Sequence, residues 1–182
     1  DVGVPVDPGD DVRELPHGWR WTASQAHLST MSTLEEREER LRVVVEAYRK
    51  APFAWNVHDC VLSAARCVDA QLGTRFEANI QRDYRYDGAI SALRIVIDAG
   101  GWEKIIARYL GPSVTPAKIG FGDVGLGHSY PPFERSTMIG ICDEELFMAP
   151  DTEGLSWLPM SHALMGWKLS DIARHQREML NV

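Results

Sequence analysis

The feature that most constrains the fold is a short helix that is apolar on almost every side. Asp59 is a favourable N-cap residue, and Gly73 is typical of a helix C-terminus, so the sequence predicts a helix that begins at Cys60 and stops at Gly73. Its apolar residues are Val61, Leu62, Ala64, Ala65, Val68 and Leu72. Because such a helix cannot face water, we expect it in the middle of a domain with the other elements around it.

Three further helices are predicted from apolar periodicity and stop signals. Ser32 and Glu35 have capping-box spacing, and Pro52 ends the helix that follows them. The apolar stripe of that helix is Leu41, Val44, Val45 and Tyr48, and its outer face can pair Glu36 with Arg40 and Glu38 with Arg42. The other two helices span residues 89–98 and 102–110, and each ends at a glycine pair or Gly-Pro.

Beyond Pro116 the pattern changes to short apolar runs separated by Gly, Pro and Asp. The runs cover residues 123–126, 138–142, 146–149 and 164–169, and we interpret them as strands. Helices followed by strands predict an α+β domain over residues 32–182, with the helices packed on one small, mostly antiparallel sheet.

Residues 1–31 are rich in turn-forming residues and carry Trp19 and Trp21 two positions apart. Two tryptophans so close together are expected to be covered, so one interpretation is an extended arm that docks on a partner through these side chains. The other interpretation is an N-terminal loop that covers the core of its own domain. The sequence alone leaves both open.

Composition excludes several classes of function. The chain has 182 residues, a formal net charge of −7 and no clustered basic stretch, so nucleic acid is not an expected partner. No apolar run reaches the roughly 20 residues of a membrane span, and no signal segment is expected. Cys60, Cys67 and Cys142 lack the paired spacing of a metal site, so we expect thiols in a protein made in the cytoplasm, with no metal or cofactor.

Cys60 is the candidate nucleophile. A cysteine in the first turn of a helix lies in the partial positive charge of the helix end, which favours the reactive thiolate. Its backbone N–H can also stabilise an oxyanion on a substrate carbonyl. The alternative is an ordinary buried cysteine at the start of a core helix.

Three landmarks in order resemble the NlpC-type cysteine hydrolases. They are Asp59-Cys60 before a helix of small residues, Gly122-Asp123-Val124, and Met138-Ile139-Gly140-Ile141-Cys142. The resemblance implies a papain-like fold with Cys60 at the nucleophile position. The family's catalytic histidine, however, belongs at the start of the third landmark, where this chain has Met138. Methionine cannot accept a proton, so the family mechanism loses its base.

A wider set of landmarks resembles a domain family of unknown function from tailed-phage genomes, near the tail-tip genes. The set is Trp55 with Asp59-Cys60, Tyr84 and Tyr86, Gly100-Gly101, Gly122-Asp123, Ile139-Gly140-Ile141, Gly154-Leu155 and Trp167. This resemblance implies a virion protein of the tail tip, made in the host cytoplasm, whose partners are other tail proteins such as hub or distal tail components.

If the site is active, another histidine has to replace the base. His128 is the first candidate, because it ends the strand beside the one that should carry the histidine, and His162 and His58 are weaker candidates. Asp123 is a candidate site carboxylate, although Gly-Asp is also a common turn into a strand. The chain is therefore either an assembly protein on a degenerate hydrolase fold or an active thiol peptidase or amidase acting on peptidoglycan.

Overall fold

The structure is a computed structural model that describes residues 33–128, 137–143 and 146–180. The chain divides into two units, Asp1–Met31 and Ser32–Val182. The predicted arm, with Trp19 and Trp21, lies outside the described residues and stays a prediction. The second unit has the α+β class that we expected, with five helices before the sheet.

The described helices are α1 (Leu34–Tyr48), α2 (Cys60–Leu72), α3 (Phe76–Asp83), α4 (Ala89–Asp98), α5 (Trp102–Leu110) and α6 (Leu169–Leu180). The bounds predicted for α2, α4 and α5 are confirmed. Helices α3 and α6 were not predicted. No helix among the described residues combines the length and the hydrophobicity needed to cross a membrane.

The start of α1 differs by one residue from the prediction. The capping box is formed by Thr33 and Glu36 rather than by Ser32 and Glu35: the Glu36 amide donates to the Thr33 hydroxyl (3.2 Å), and the Thr33 amide donates to the Glu36 carboxylate (3.1 Å). Both pairs fit the same spacing, so the sequence could not separate them. Glu36 takes part in the cap, and Arg40 donates to the carbonyl of Gln71 (3.1 Å).

Five strands form one antiparallel sheet in the order β4-β3-β2-β1-β5. They are β1 (Val124–His128), β2 (Thr137–Asp143), β3 (Leu146–Asp151), β4 (Gly154–Pro159) and β5 (Ala163–Trp167). Four correspond to the predicted runs with shifted ends, and the edge strand β4 is additional. A bulge in β5 interrupts its pairing with β1 between Leu126 and Gly127.

Helix α2 packs against α1 and α3 and on strands β2 and β3. Near its C-terminus, Gln71 Nε2 donates to the carbonyl of Gly122, just before β1 (3.1 Å). Ahead of its N-terminus, the Phe53 amide donates to the carbonyl of Asp151, at the end of β3 (2.8 Å). Since Ile141 pairs with Met148, Asp151 is level with position 138. The first turn of α2 therefore lies at the end of the sheet where β1 finishes and β2 begins.

The core lies between α2 and the sheet. Leu62, Val124 and Trp167 have no exposed surface, and Leu126 and Ile141 retain 2% each. The indole Nε1 of Trp167 donates to the carbonyl of Gly111 (2.9 Å), which ties β5 to the end of α5. Burial on this scale supplies the main stabilising free energy of such a domain, and it fixes the position of the first residue of α2.

Candidate functional site

Cys60 is the first residue of α2, and its side chain is half-buried. It lines an apolar cavity of about 90 Å³ enclosed by residues of α2, α3, α4 and α5 together with Val124 of β1. Cys60 therefore lies in the first turn of a central helix, as the sequence predicted. The thiol therefore lies in the positive field of the helix end and next to an apolar space.

Asp59 is buried to 1% exposure and holds the start of α2 in place. Its carboxylate accepts hydrogen bonds from the amides of Asn56 (2.8 Å) and Leu62 (2.9 Å) and from the hydroxyl of Tyr86 (2.7 Å). Burial, and after it the charge of Asp59, raises the pKa of Tyr86 far above its usual value. The Tyr86 hydroxyl therefore stays protonated and remains a donor to Asp59.

The imidazole of His58 is turned away from the cavity that Cys60 lines. Nδ1 of His58 lies 3.2 Å from the Ser63 hydroxyl and 3.2 Å from Nη1 of Arg66, and the ring stacks on Tyr48 with 5.2 Å between centroids. Burial, followed by the charge of Arg66, lowers the pKa of His58. Because Arg66 can only donate, His58 accepts at Nδ1 in its neutral form.

Arg66 joins three helices at this point. It donates from Nε to the Glu77 carboxylate (3.2 Å), pairs with it through Nη2, and lies 4.1 Å from the centre of the Tyr48 ring. We call Tyr48, His58, Ser63, Arg66 and Glu77 the His58 cluster. This cluster was not predicted, although Ser63 and Arg66 are polar residues one turn apart in the first half of a mostly apolar helix, which is a usable signal.

Cys67 is also on α2, but it has a different environment from Cys60. It is buried, and burial raises its pKa to about 12. Cys60 and Cys67 are both thiols and form no disulfide, while the side chain of Cys142 lies outside the described residues. Within the described ranges, no group of three or more His, Cys, Asp or Glu side chains is placed to hold a metal ion.

His128 is the last residue of β1 and is exposed. Alternation along the strand puts His128 on the same face as Val124 and Leu126, the face covered by the helices. It pairs with Thr137, and the neighbouring Gly127 pairs with Met138. The structure thus brings His128, position 138 and the start of α2 to one end of the sheet.

Asp123 lies at the opposite end of β1. Its two carboxylate oxygens accept from the amides of Leu169 (2.7 Å) and Gly120 (2.9 Å), so it joins the start of α6 to the turn before the sheet. Burial raises its pKa, although both hydrogen bonds oppose this effect. Five residues of extended strand, about 17 Å, separate Asp123 from His128. The structure does not bring these two predicted site residues together.

His162 is half-buried in a turn directly before β5. Its neighbour Ala163 pairs with Gly127, so His162 lies at the same end of the sheet as His128. His175 is on α6, near Gly111 and away from the start of α2. His17 and His27 lie outside the described residues.

The fold and site define an α+β protein with a cysteine at the N-terminus of a central buried helix, facing an apolar cavity. The chain belongs to the family described as a domain of unknown function, DUF6950, whose model matches residues 32–169. No curated protein and no solved structure matches the chain.

Proposed function

We propose that this protein is a structural component of a tailed-phage tail tip, built on a papain-like, NlpC-type fold whose thiol site has lost its base. Its partners would be other tail proteins, such as hub or distal tail components, and its location the virion. The ordered landmarks from Asp59-Cys60 to the strand at Met138, and a central helix that places Cys60 at the corresponding end of the sheet, support this proposal.

The residue at the family position of the base carries the proposal of a degenerate site, and the contacts of the histidine beside Cys60 in the sequence support it. His58 is two residues before Cys60, and its Nδ1 lies 3.2 Å from the Ser63 hydroxyl and 3.2 Å from Nη1 of Arg66. The family position for the base holds Met138. Loss of the base of a nucleophile–base pair removes several orders of magnitude of rate, so a contact role fits this arrangement better than turnover.

An apolar row on α4 supports a role in protein contacts. Ile90, Leu93 and Ile97 are spaced along one face of the helix and are exposed by 73%, 50% and 64%. Large apolar side chains grouped in this way mark interaction surfaces. We propose that this row meets a neighbouring tail protein. Trp19 and Trp21 are proposed separately, from the sequence alone, as partner-binding residues.

The second candidate is an active thiol peptidase or amidase that acts on cell-wall peptidoglycan. What favours it is the common location of Cys60, His128 and His162 at one end of the sheet. In this mechanism Cys60 attacks the carbonyl carbon, one of the two histidines takes the thiol proton, and the Cys60 amide stabilises the oxyanion.

Two measurements on the full chain test the proposal. We expect no release of soluble fragments from peptidoglycan above the level of Cys60→Ser. We also expect a Trp19→Ala/Trp21→Ala variant to lose binding to tail proteins, while Trp157→Ala, at an exposed tryptophan of the folded domain, keeps it. Peptidoglycan cleavage that Cys60→Ser abolishes would establish the second candidate instead.

Two variants of α4 test its part in the contact surface. Leu93→Ser removes an exposed apolar side chain, and Arg94→Ser, at the exposed neighbouring position, is the control. Loss of apolar area at position 93 should weaken binding to the tail protein, and the change at position 94 should not. Equal binding by both variants would remove α4 from the proposed contact surface.

A further inference from the structure

The cavity beside Cys60 is lined almost wholly by hydrocarbon. Small side chains of α2, such as Ala64 and Ala65, form one part of its wall, and Ile95, Trp102 and Ile106 form another. Half-buried residues, including Cys60 and Ala92, are part of the lining, so the space is reachable from the surface. This is a shaped apolar site rather than a gap deep in the core.

The tyrosines that line the cavity have their hydroxyl groups engaged in hydrogen bonds to other side chains. Tyr86 donates to Asp59 (2.7 Å) and Tyr109 to Asp83 (2.9 Å), while the Tyr84 hydroxyl accepts from Arg108 (3.1 Å). A buried water needs two to four polar partners, and these rings present mainly carbon to the cavity. Filling the space with an apolar group is therefore more favourable than filling it with water.

We propose that this cavity binds the aliphatic chain of a ligand whose head group is uncharged. Its volume of about 90 Å³ is smaller than the roughly 150 Å³ of an engineered apolar cavity that binds benzene, so a single short chain fits better than a ring with substituents. This proposal goes beyond the assembly role and does not depend on it.

The charge of Asp59 limits which head group the ligand can carry. Asp59 is one of the residues that line the cavity beside Cys60, and its carboxylate already accepts three hydrogen bonds. A second carboxylate beside it would be repelled in surroundings of low dielectric constant, and an ammonium group would lose its hydration in a space lined by hydrocarbon. The ligand class is therefore an uncharged compound with a short aliphatic chain, such as an amide or ester, and the corresponding carboxylate should bind much more weakly.

The test uses the full chain and three small probes. The rate of Cys60 alkylation by iodoacetamide, measured by mass spectrometry, reports on occupation of the cavity, and buried Cys67 reports on unfolding. Hexanamide should slow alkylation of Cys60 with a saturable dependence on concentration. Hexanoate and acetamide should have little effect, because one carries a charge and the other has no chain.

A matched pair of variants locates the effect. Ala92 lines the cavity and Ala78 is exposed on α3, so Ala92→Leu fills the space while Ala78→Leu adds the same atoms outside it. Protection by hexanamide should be lost in the first variant and kept in the second. No protection in the unmodified chain, or unchanged protection in Ala92→Leu, overturns the cavity proposal. Equal protection by hexanoate overturns the neutral head group.

Discussion

The hydroxyl of Tyr86 donates a 2.7 Å hydrogen bond to Oδ2 of Asp59, whose other oxygen caps α2 at the Leu62 amide. One carboxylate thus ties a residue between α3 and α4 to the turn that positions Cys60. The start of the central helix depends on a contact between distant parts of the chain, and removal of that contact is directly testable.

Replacement of Tyr86 by Phe should lower the free energy of unfolding by about 1–2 kcal/mol, because a buried carboxylate loses one of its donors. Tyr84→Phe is the control, since its hydroxyl meets Arg108 in an exposed contact, and it should cost less than about 0.5 kcal/mol. Urea denaturation followed by circular dichroism measures both variants. Equal costs would mean that the Tyr86–Asp59 bond does not stabilise the fold.

The Arg66–Glu77 pair should stabilise the domain more than the surface pair on α1. The side chains of Arg66 and Glu77 are 15% and 27% exposed, against 62% and 28% for Arg42 and Glu38. We expect Glu77→Gln to cost about 1–2 kcal/mol, because the half-buried Arg66 loses its counter-charge. Glu38→Gln should cost no more than about 0.5 kcal/mol. Urea denaturation measures the free energy of unfolding of both variants. A larger loss for Glu38→Gln than for Glu77→Gln would contradict the prediction.

His58 should make stability depend on pH. Its folded pKa lies below the usual 6.5, so the unfolded chain binds the proton more tightly, and stability falls as the pH drops through about 6.5. His58→Gln should reduce the difference in unfolding free energy between about pH 7.5 and pH 5.5. A His58→Gln protein with the full pH dependence would show that other groups cause it.

Asp123 should contribute to the stability of the fold and have no effect on the reactivity of the Cys60 thiol. An asparagine can offer one oxygen where two are used, so Asp123→Asn should cost about 1–3 kcal/mol. Asp151 also has two acceptor contacts but is exposed, so Asp151→Asn should cost less than about 1 kcal/mol. The alkylation rate of Cys60 in folded Asp123→Asn protein should equal that of the unmodified chain, and a changed rate would give Asp123 a part in the site.

Local signals explain which helices the sequence predicted. Helix α2 has its cap and stop next to it, as Asp59 accepts from Leu62 and Gly73 adopts a φ of 69°. Helix α3 was missed because its first amides, Phe76 and Glu77, donate to the side chain of Asp69 on α2. A cap supplied by another element leaves no pattern at the helix start.

Helix α6 was missed for the same reason, because its cap also comes from another element. The amide of Leu169 donates to the side chain of Asp123, which directly precedes β1. The candidate site follows this rule as well. Cys60 was predicted because its helix start is local, whereas the His58 cluster requires α1, α2 and α3 to be packed together. Contacts of this kind follow from the tertiary fold and not from spacing along the chain.

The most direct test of the central claim is tail assembly with Cys60→Ser as the only copy of the protein. Serine keeps the shape of the side chain but is not an activated thiol, so it separates a contact role from catalysis. If the protein is an assembly component, tails should incorporate the variant and infect as well as unmodified ones. Tails that assemble normally but fail to infect, and that lack a peptidoglycan cleavage shown by unmodified tails, would contradict the assembly role and establish Cys60 as a nucleophile.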